Sequence, residues 1–181
     1  ATAAASEIAT AHRQTVRAYD DLTTAVDAES PDAALIAVTP DGHDEIELAL
    51  IDRGIPFLVE KPIGIDLETP ARISAALESS GVIASVAFHF RYLDIVDTLR
   101  ERLTTVRPIM VNGYWMGTLP PPPWWRHANE SGGQFNEQTV HITDLIRYLF
   151  GEVDAVTAMS SSVAISGIHP DADVPDSGAA V

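Results

Sequence analysis

Residues 33–59 read AALIAVTPDGHDEIELALIDRGIPFLV, and this stretch constrains the fold more than any other. Residues 33–38 and 56–59 are continuous apolar runs of strand length. Between them, apolar residues recur at helical spacing after Asp41, a candidate N-cap, and before Gly54, a helix stop. Strand, helix and strand in that order make a β–α–β unit. Strands without a polar face need cover on both sides, which predicts a parallel sheet with helices on both faces. The pattern repeats downstream. Thr69 is a candidate N-cap, Pro70 falls in the first turn where its missing N–H is harmless, Ile73 and Leu77 lie one turn apart, and Gly81 ends the helix. A third strand, VIASVAF, follows at residues 82–88.

Beyond Phe88 the character changes, which places a domain boundary near His89. The spacing predicts a helix from Tyr92 to Leu103 and a longer strand over IMVNGYWMGT, residues 109–118. The run LPPPPWW is neither helix nor central strand. Val140, Ile142, Leu145, Ile146 and Leu149 form one apolar helix face, ended by Gly151, and the tail from Val153 reads as strands of an antiparallel sheet. The first 13 residues are alanine-rich and helix-prone.

Composition removes whole classes of function. The chain of 181 residues has no cysteine, so disulfides, thiolate metal sites and cysteine nucleophiles are excluded. Its formal charge of −15 would repel a nucleic-acid backbone or an anionic membrane. No apolar run approaches the ~18–20 residues of a membrane span, and the N-terminus lacks the basic-then-apolar order of a signal peptide; a cytoplasmic location is the default expectation. Excess acid with arginine in place of lysine fits adaptation to high salt, and equally an ordinary acidic enzyme. Melting from low to molar salt separates the two. There is no G-x-S-x-G elbow, P-loop or EF-hand loop.

Lys61 is the only lysine among 11 basic residues, the rest being arginines. In open α/β sheets ligands bind beyond the carboxyl ends of the strands, and two such ends are legible, AVTPDGH and VEKPIG. Thr39, Pro40 and His43 therefore face the same edge as Glu60, Lys61 and Pro62. A lysine at a strand end is either solvated or chemical, because its ammonium, unlike a guanidinium, exchanges protons readily. The Lys61–Pro62 bond is of the kind that adopts the cis form at tolerable cost. In the second half, Glu137, His141 and Asp144 line another stripe of the helix that carries the apolar face. Three readings remain open for them: a metal site lacking a further ligand, a buried hydrogen-bonded histidine, or a general acid–base histidine oriented by a carboxylate. Gly132 and Gly133 allow close approach of another segment or a ligand. In PPPPWWRH, Trp125 is either an aromatic wall beside substrate or rigid packing.

The segments PDAALIAVTPDGHDE, ALIDRGIPFLVEKPIG, VAFHFRY and SGGQFNEQTVHITDLIRYLFGEV together resemble the Gfo/Idh/MocA oxidoreductases, the glucose–fructose oxidoreductase and inositol dehydrogenase group. The resemblance implies an α/β fold: a partial Rossmann-type parallel sheet in residues 1–88, then part of an α+β domain with an open, mainly antiparallel sheet in residues 89–181. It implies NAD or NADP as cofactor, a sugar or polyol substrate, no metal, and a homo-oligomer. Carried over by position, Lys61 meets nicotinamide and substrate hydroxyl, and His141 takes or returns the hydroxyl proton. Glu137, Asp144 and Trp125 lie on the substrate side. Thr39, Pro40, His43, Glu60, Pro62 and Arg91 flank the cofactor. Glu137 stands where many members have Asp, which keeps the charge but lengthens the reach. The family's glycine-rich phosphate loop has no counterpart, so the resemblance implies a chain of roughly half a complete enzyme that binds NAD poorly by itself. A non-catalytic relative serving as sensor or partner subunit is the rival expectation.

Overall fold

A computed structural model of the chain describes residues 2–12 and 15–181. Helix α1 (Thr2–His12) occupies the alanine-rich start, whose first and thirteenth residues lie outside the described set. Helix α2 (Leu22–Glu29) has no counterpart in the sequence reading, because its β-branched residues blur the period; Asp21 caps it by accepting the Thr24 N–H at 2.7 Å.

Strands β1 (Ala34–Ile36), β2 (Phe57–Val59) and β3 (Ala84–Val86) form a parallel sheet in the order β1-β2-β3, with Ile36 beside Val59 and Val59 beside Val86. Helices α3 (Glu45–Asp52) and α4 (Glu68–Ser80) make the crossovers. The core is Ile36, Leu50, Ile51, Ile55, Phe57, Val59 and Ile73. Alternate strand residues point the other way: Leu35 and Leu58 are exposed, so among the described residues the expected helical cover is present on one face only.

Two expected caps move. Asp41 sits in a single 3₁₀ turn (Pro40–Gly42), and α3 starts after Asp44 instead, whose N–H donates to Glu47 Oε2 at 2.7 Å and so fixes the helix start. Thr69 lies inside α4, because Asp66 Oδ1 accepts its N–H at 2.8 Å and ends the search for a cap earlier in the chain. Gly81 does terminate α4, at φ 71°. The Lys61–Pro62 peptide bond is cis.

After a 3₁₀ turn (His89–Tyr92), α5 (Asp94–Leu103) ends where expected and begins two residues later, because Tyr92 belongs to the turn. The strand expected over residues 109–118 is not formed: the segment has no ladder partner, and Ile109 is fully exposed. Its apolar content was read correctly, but a strand needs an edge to pair with, and the remaining strands pair with each other. A 3₁₀ turn (Pro123–Arg126), the short α6 (Ala128–Ser131) and one π-helical turn (Phe135–Thr139) lead into α7 (Val140–Phe150). Strand β4 (Ala158–Ser161) pairs antiparallel with β5 (Ser177–Ala180) around the short α8 (Ile165–Ile168). No helix among the described residues is long and apolar enough to cross a membrane.

Candidate active site

The carboxyl ends of β1 and β2 deliver the two loops foreseen from sequence. Glu60 is held at the sheet edge by its N–H donating to Ile36 O at 2.9 Å, and the chain then turns through Lys61 and buried Pro62. Across from it stands α7, entered through the π-helical turn. Such wide turns loosen the regular ladder, and here the Glu137 carbonyl accepts a hydrogen bond from Lys61 Nζ at 3.0 Å. Lys61 Nζ also donates to Glu137 Oε2 at 2.7 Å. The single lysine therefore bridges the parallel-sheet half and the α7 half by two bonds to one residue. Burial pushes the Glu137 carboxyl above the ordinary range, and the hydrogen bond and charge of Lys61 only partly offset it.

His141 lies one turn beyond Glu137 and is 5% exposed. Its ring stacks on Phe90 at 4.8 Å between centroids, with Trp115 parallel at 6.2 Å and His89 edge-on at 4.6 Å. Burial, the His89 imidazole and the Lys61 ammonium, in that order, push His141 below its ordinary value. An imidazole neutral near pH 7 can accept a proton. His141 Nδ1 is buried with no hydrogen-bond partner among the described residues. Such an orphan costs about 1–3 kcal/mol, which is unusual outside sites that meet a ligand.

His43 shows the same feature. Its Nδ1 lies 2.6 Å from Glu47 Oε1, both side chains being fully buried, while Nε2 has no partner among the described residues. Burial works against ionised Glu47, but hydrogen bonds from His43 and from the Asp44 N–H hold its carboxyl below the ordinary range. Glu47 was not anticipated, although its position four residues after His43 on α3 was a readable signal. Asn136 was also missed: its Nδ2 donates to Gly64 O at 3.1 Å and Ser131 O at 3.0 Å, tying the Lys61 loop to the π-helical turn. Gly132, at φ 70°, makes this possible, since a Cβ there would stand 2.5 Å from Asn136 Nδ2.

Asp144 and Arg91 meet each other. Arg91 Nε donates to Asp144 Oδ2 at 2.8 Å, and its second nitrogen donates to Oδ1. The guanidinium also lies 4.8 Å from the Tyr148 ring centroid and 5.6 Å from that of Phe88. The pair uses two of the guanidinium's five N–H donors and leaves the others available to a ligand. Trp125, 6% exposed, lines a cavity of about 520 Å³ with Gln134, Gln138 and Ile165; Lys61 and His141 do not line it. Thr39 and Pro40 stand at the end of β1, where Thr39 O accepts the Gly42 N–H at 2.8 Å. Among the described residues no cluster of three or more His, Asp or Glu is placed to hold a metal ion.

The arrangement gathers an ammonium, a neutral imidazole and two unpartnered ring nitrogens at one sheet edge. Comparison with known proteins bears on the chain's family. Residues 1–88 match the oxidoreductase family with an NAD-binding Rossmann fold, and residues 96–181 match the Gfo/Idh/MocA C-terminal domain. Myo-inositol dehydrogenase Hyg17 of Streptomyces leeuwenhoekii is 31% identical over 77% of this chain and 43% of its own length. The scyllo-inositol 2-dehydrogenase (NAD(+)) of Bacillus subtilis is 30% identical over 68% of this chain and 37% of its own. The chain thus spans less than half of these relatives. In fold it resembles the WlbA dehydrogenase of Bordetella pertussis, solved with NADH and UDP-GlcNAcA, at TM-score 0.83 and 21% identity over 99% of this chain and 52% of that one. The chain belongs to the Gfo/Idh/MocA family of oxidoreductases.

Proposed function

We propose that this chain supplies the reacting centre of an NAD(P)-dependent oxidoreductase acting on a secondary hydroxyl of a sugar, cyclitol or related polyol. The carrying observation is the Lys61–Glu137 bridge, which brings the one lysine to the helix turn preceding a buried, neutral His141. The orphaned nitrogens of His43 and His141 fit a polar ligand at this edge. Thr39, Pro40, His43, Glu60, Lys61, Pro62 and Arg91 would hold the nicotinamide dinucleotide, which supplies a two-electron hydride acceptor. Lys61, with one N–H beyond its two Glu137 bonds, polarises the hydroxyl oxygen and lowers the cost of developing alkoxide charge. His141 accepts the hydroxyl proton, a contribution of ~10²–10⁴-fold. Glu137 holds Lys61 in place; Asp144 acts through Arg91; Trp125 walls the adjoining cavity as the substrate-side aromatic. We place the domain boundary near His89.

The test is NADH or NADPH formation with inositols and sugars by the enzyme that contains this chain. Lys61→Arg and His141→Ala should each lower kcat/KM by about 10²-fold or more with the fold intact; near-native turnover in both overturns the proposal. The sequence has no G-x-G-x-x-G motif, so the isolated 181 residues should bind NAD weakly. A micromolar Kd for the isolated chain, together with no turnover on any polyol, would favour a sensor or partner subunit instead.

A further inference from the structure

His141 is packed among Phe88, Phe90 and Trp115 and nearly sealed from solvent, so a proton placed on it needs a way out. The elements around it offer few groups. Lys61 is bound to Glu137, Asp144 is bound to Arg91, and Glu60 lies at the end of β2. The remaining titratable neighbour is His89, at the start of the 3₁₀ turn that packs on α7. Its ring stands edge-on to that of His141 with centroids 4.6 Å apart, and unlike His141 it is exposed to solvent.

We propose that His89 is a proton-relay residue, carrying the proton between buried His141 and bulk water in each turnover. This rests on the acid–base role given to His141 above. The substrate O–H proton passes to an unprotonated nitrogen of His141. That imidazolium then gives its proton, through a ring rotation of His89 or one intervening water, to a neutral His89 nitrogen, which releases it to solvent. In the reverse reaction the order inverts. No other reactant is needed, and both imidazoles end neutral. With ring centroids 4.6 Å apart, like charge on both rings is disfavoured, which helps a proton leave His141 once it is there. Phe90, stacked on His141 and edge-on to His89 at 4.9 Å, fixes the mutual orientation.

An aromatic wall and a relay make different demands at this position. His89→Phe keeps the wall and removes the proton carrier; His89→Ala removes both and leaves room at the surface for a small imidazole. In dilute buffer, both variants of the enzyme containing this chain should show kcat reduced on the order of 10-fold, short of the ~10²–10⁴-fold for losing the general base itself, with KM little changed. Added imidazole should restore His89→Ala in a saturable manner and leave the wild type unaffected. Full speed in His89→Phe, or a slow His89→Ala indifferent to imidazole, overturns the relay. A wild type that oxidises no polyol overturns the proposed function. In that event nitrogen-15 NMR titration still decides the pairing: the His141 midpoint should rise in His89→Gln, and an unmoved midpoint removes the basis for a relay.

Discussion

The parallel-sheet half and the α7 half balance apolar and polar burial differently. In the first, the sheet core is apolar, with Leu50, Val59 and Ile73 at most 3% exposed, and the buried polar residues His43, Glu47 and Thr69 lie beside it. On α7 and the turn before it, Glu137, His141 and Asp144 are buried to about the same degree, while Phe135, Tyr148 and Phe150 are 37–40% exposed. The apolar stripe of α7, Val140, Ile142, Leu145, Ile146 and Leu149, is half-buried, so apolar burial alone does not set the helix's orientation. Here the ion pairs Lys61–Glu137 and Arg91–Asp144 act beside that stripe, and groups that are costly to desolvate are paired where they meet. The contrast separates a region whose core is mainly apolar from a helix whose most deeply buried face is polar.

The sharpest way to break the comparison is to remove the ammonium. Lys61→Met leaves Glu137, whose side chain is 7% exposed, without its partner. The expected loss is about 3–5 kcal/mol at pH 8. Because burial already raises the proton affinity of Glu137, the loss should shrink at pH 5, where the carboxyl can neutralise itself. Glu137→Gln added to Lys61→Met should recover most of the stability. Urea denaturation of the three forms at both pH values checks this, and equal losses at the two pH values would show that the bridge is not what holds α7 to the sheet edge.

Apolar truncation should discriminate next. Leu50→Ala in the first half should cost about 2–5 kcal/mol, since the residue is sealed among Ile36, Ile51 and Phe57. Ile109→Ala, in the segment expected as a strand, should fall within about 0.5 kcal/mol because its side chain meets only water. A cost near that of Leu50→Ala would mean that residues 109–118 pair as a strand in solution.

The same contrast explains what could be read in advance. The β–α–β pattern was legible because apolar runs, helix period and Gly stops agree at Ile36, Leu50, Val59 and Gly81. The Lys61 edge was legible because strand polarity puts ligands there. The strand over 109–118 was misread because pairing is a long-range property that a local apolar run does not contain. The Lys61–Glu137 and Arg91–Asp144 bonds, joining residues 76 and 53 positions apart, carry no local signal either. The apolar stripe of α7 was visible in the sequence, but the deeper burial of the polar stripe beside it goes with those bonds. His89 was visible too, as a letter in VAFHFRY, and gains meaning only when the 3₁₀ turn lays it against His141.

The smallest of the expected effects is the pH dependence that His141 should impose on stability. Its folded-state affinity for a proton is depressed, chiefly by burial, from the ordinary value of 6.5 that applies when the chain unfolds. Between that unfolded value and the lower folded one, the unfolded chain binds more protons than the folded chain, so stability must rise with pH across the window. The contribution is complete above about 6.5 and is lost as pH falls toward the folded value. Glu137 works in the opposite sense at lower pH, since its raised affinity makes the folded state the better proton binder there. His141→Gln should flatten the slope just below pH 6.5 and leave the lower-pH slope in place. Chemical denaturation at closely spaced pH values resolves the two. If the upper slope survives His141→Gln unchanged, the imidazole is charged as readily in the folded chain as in water, and the proposal of His141 as a neutral base falls with it.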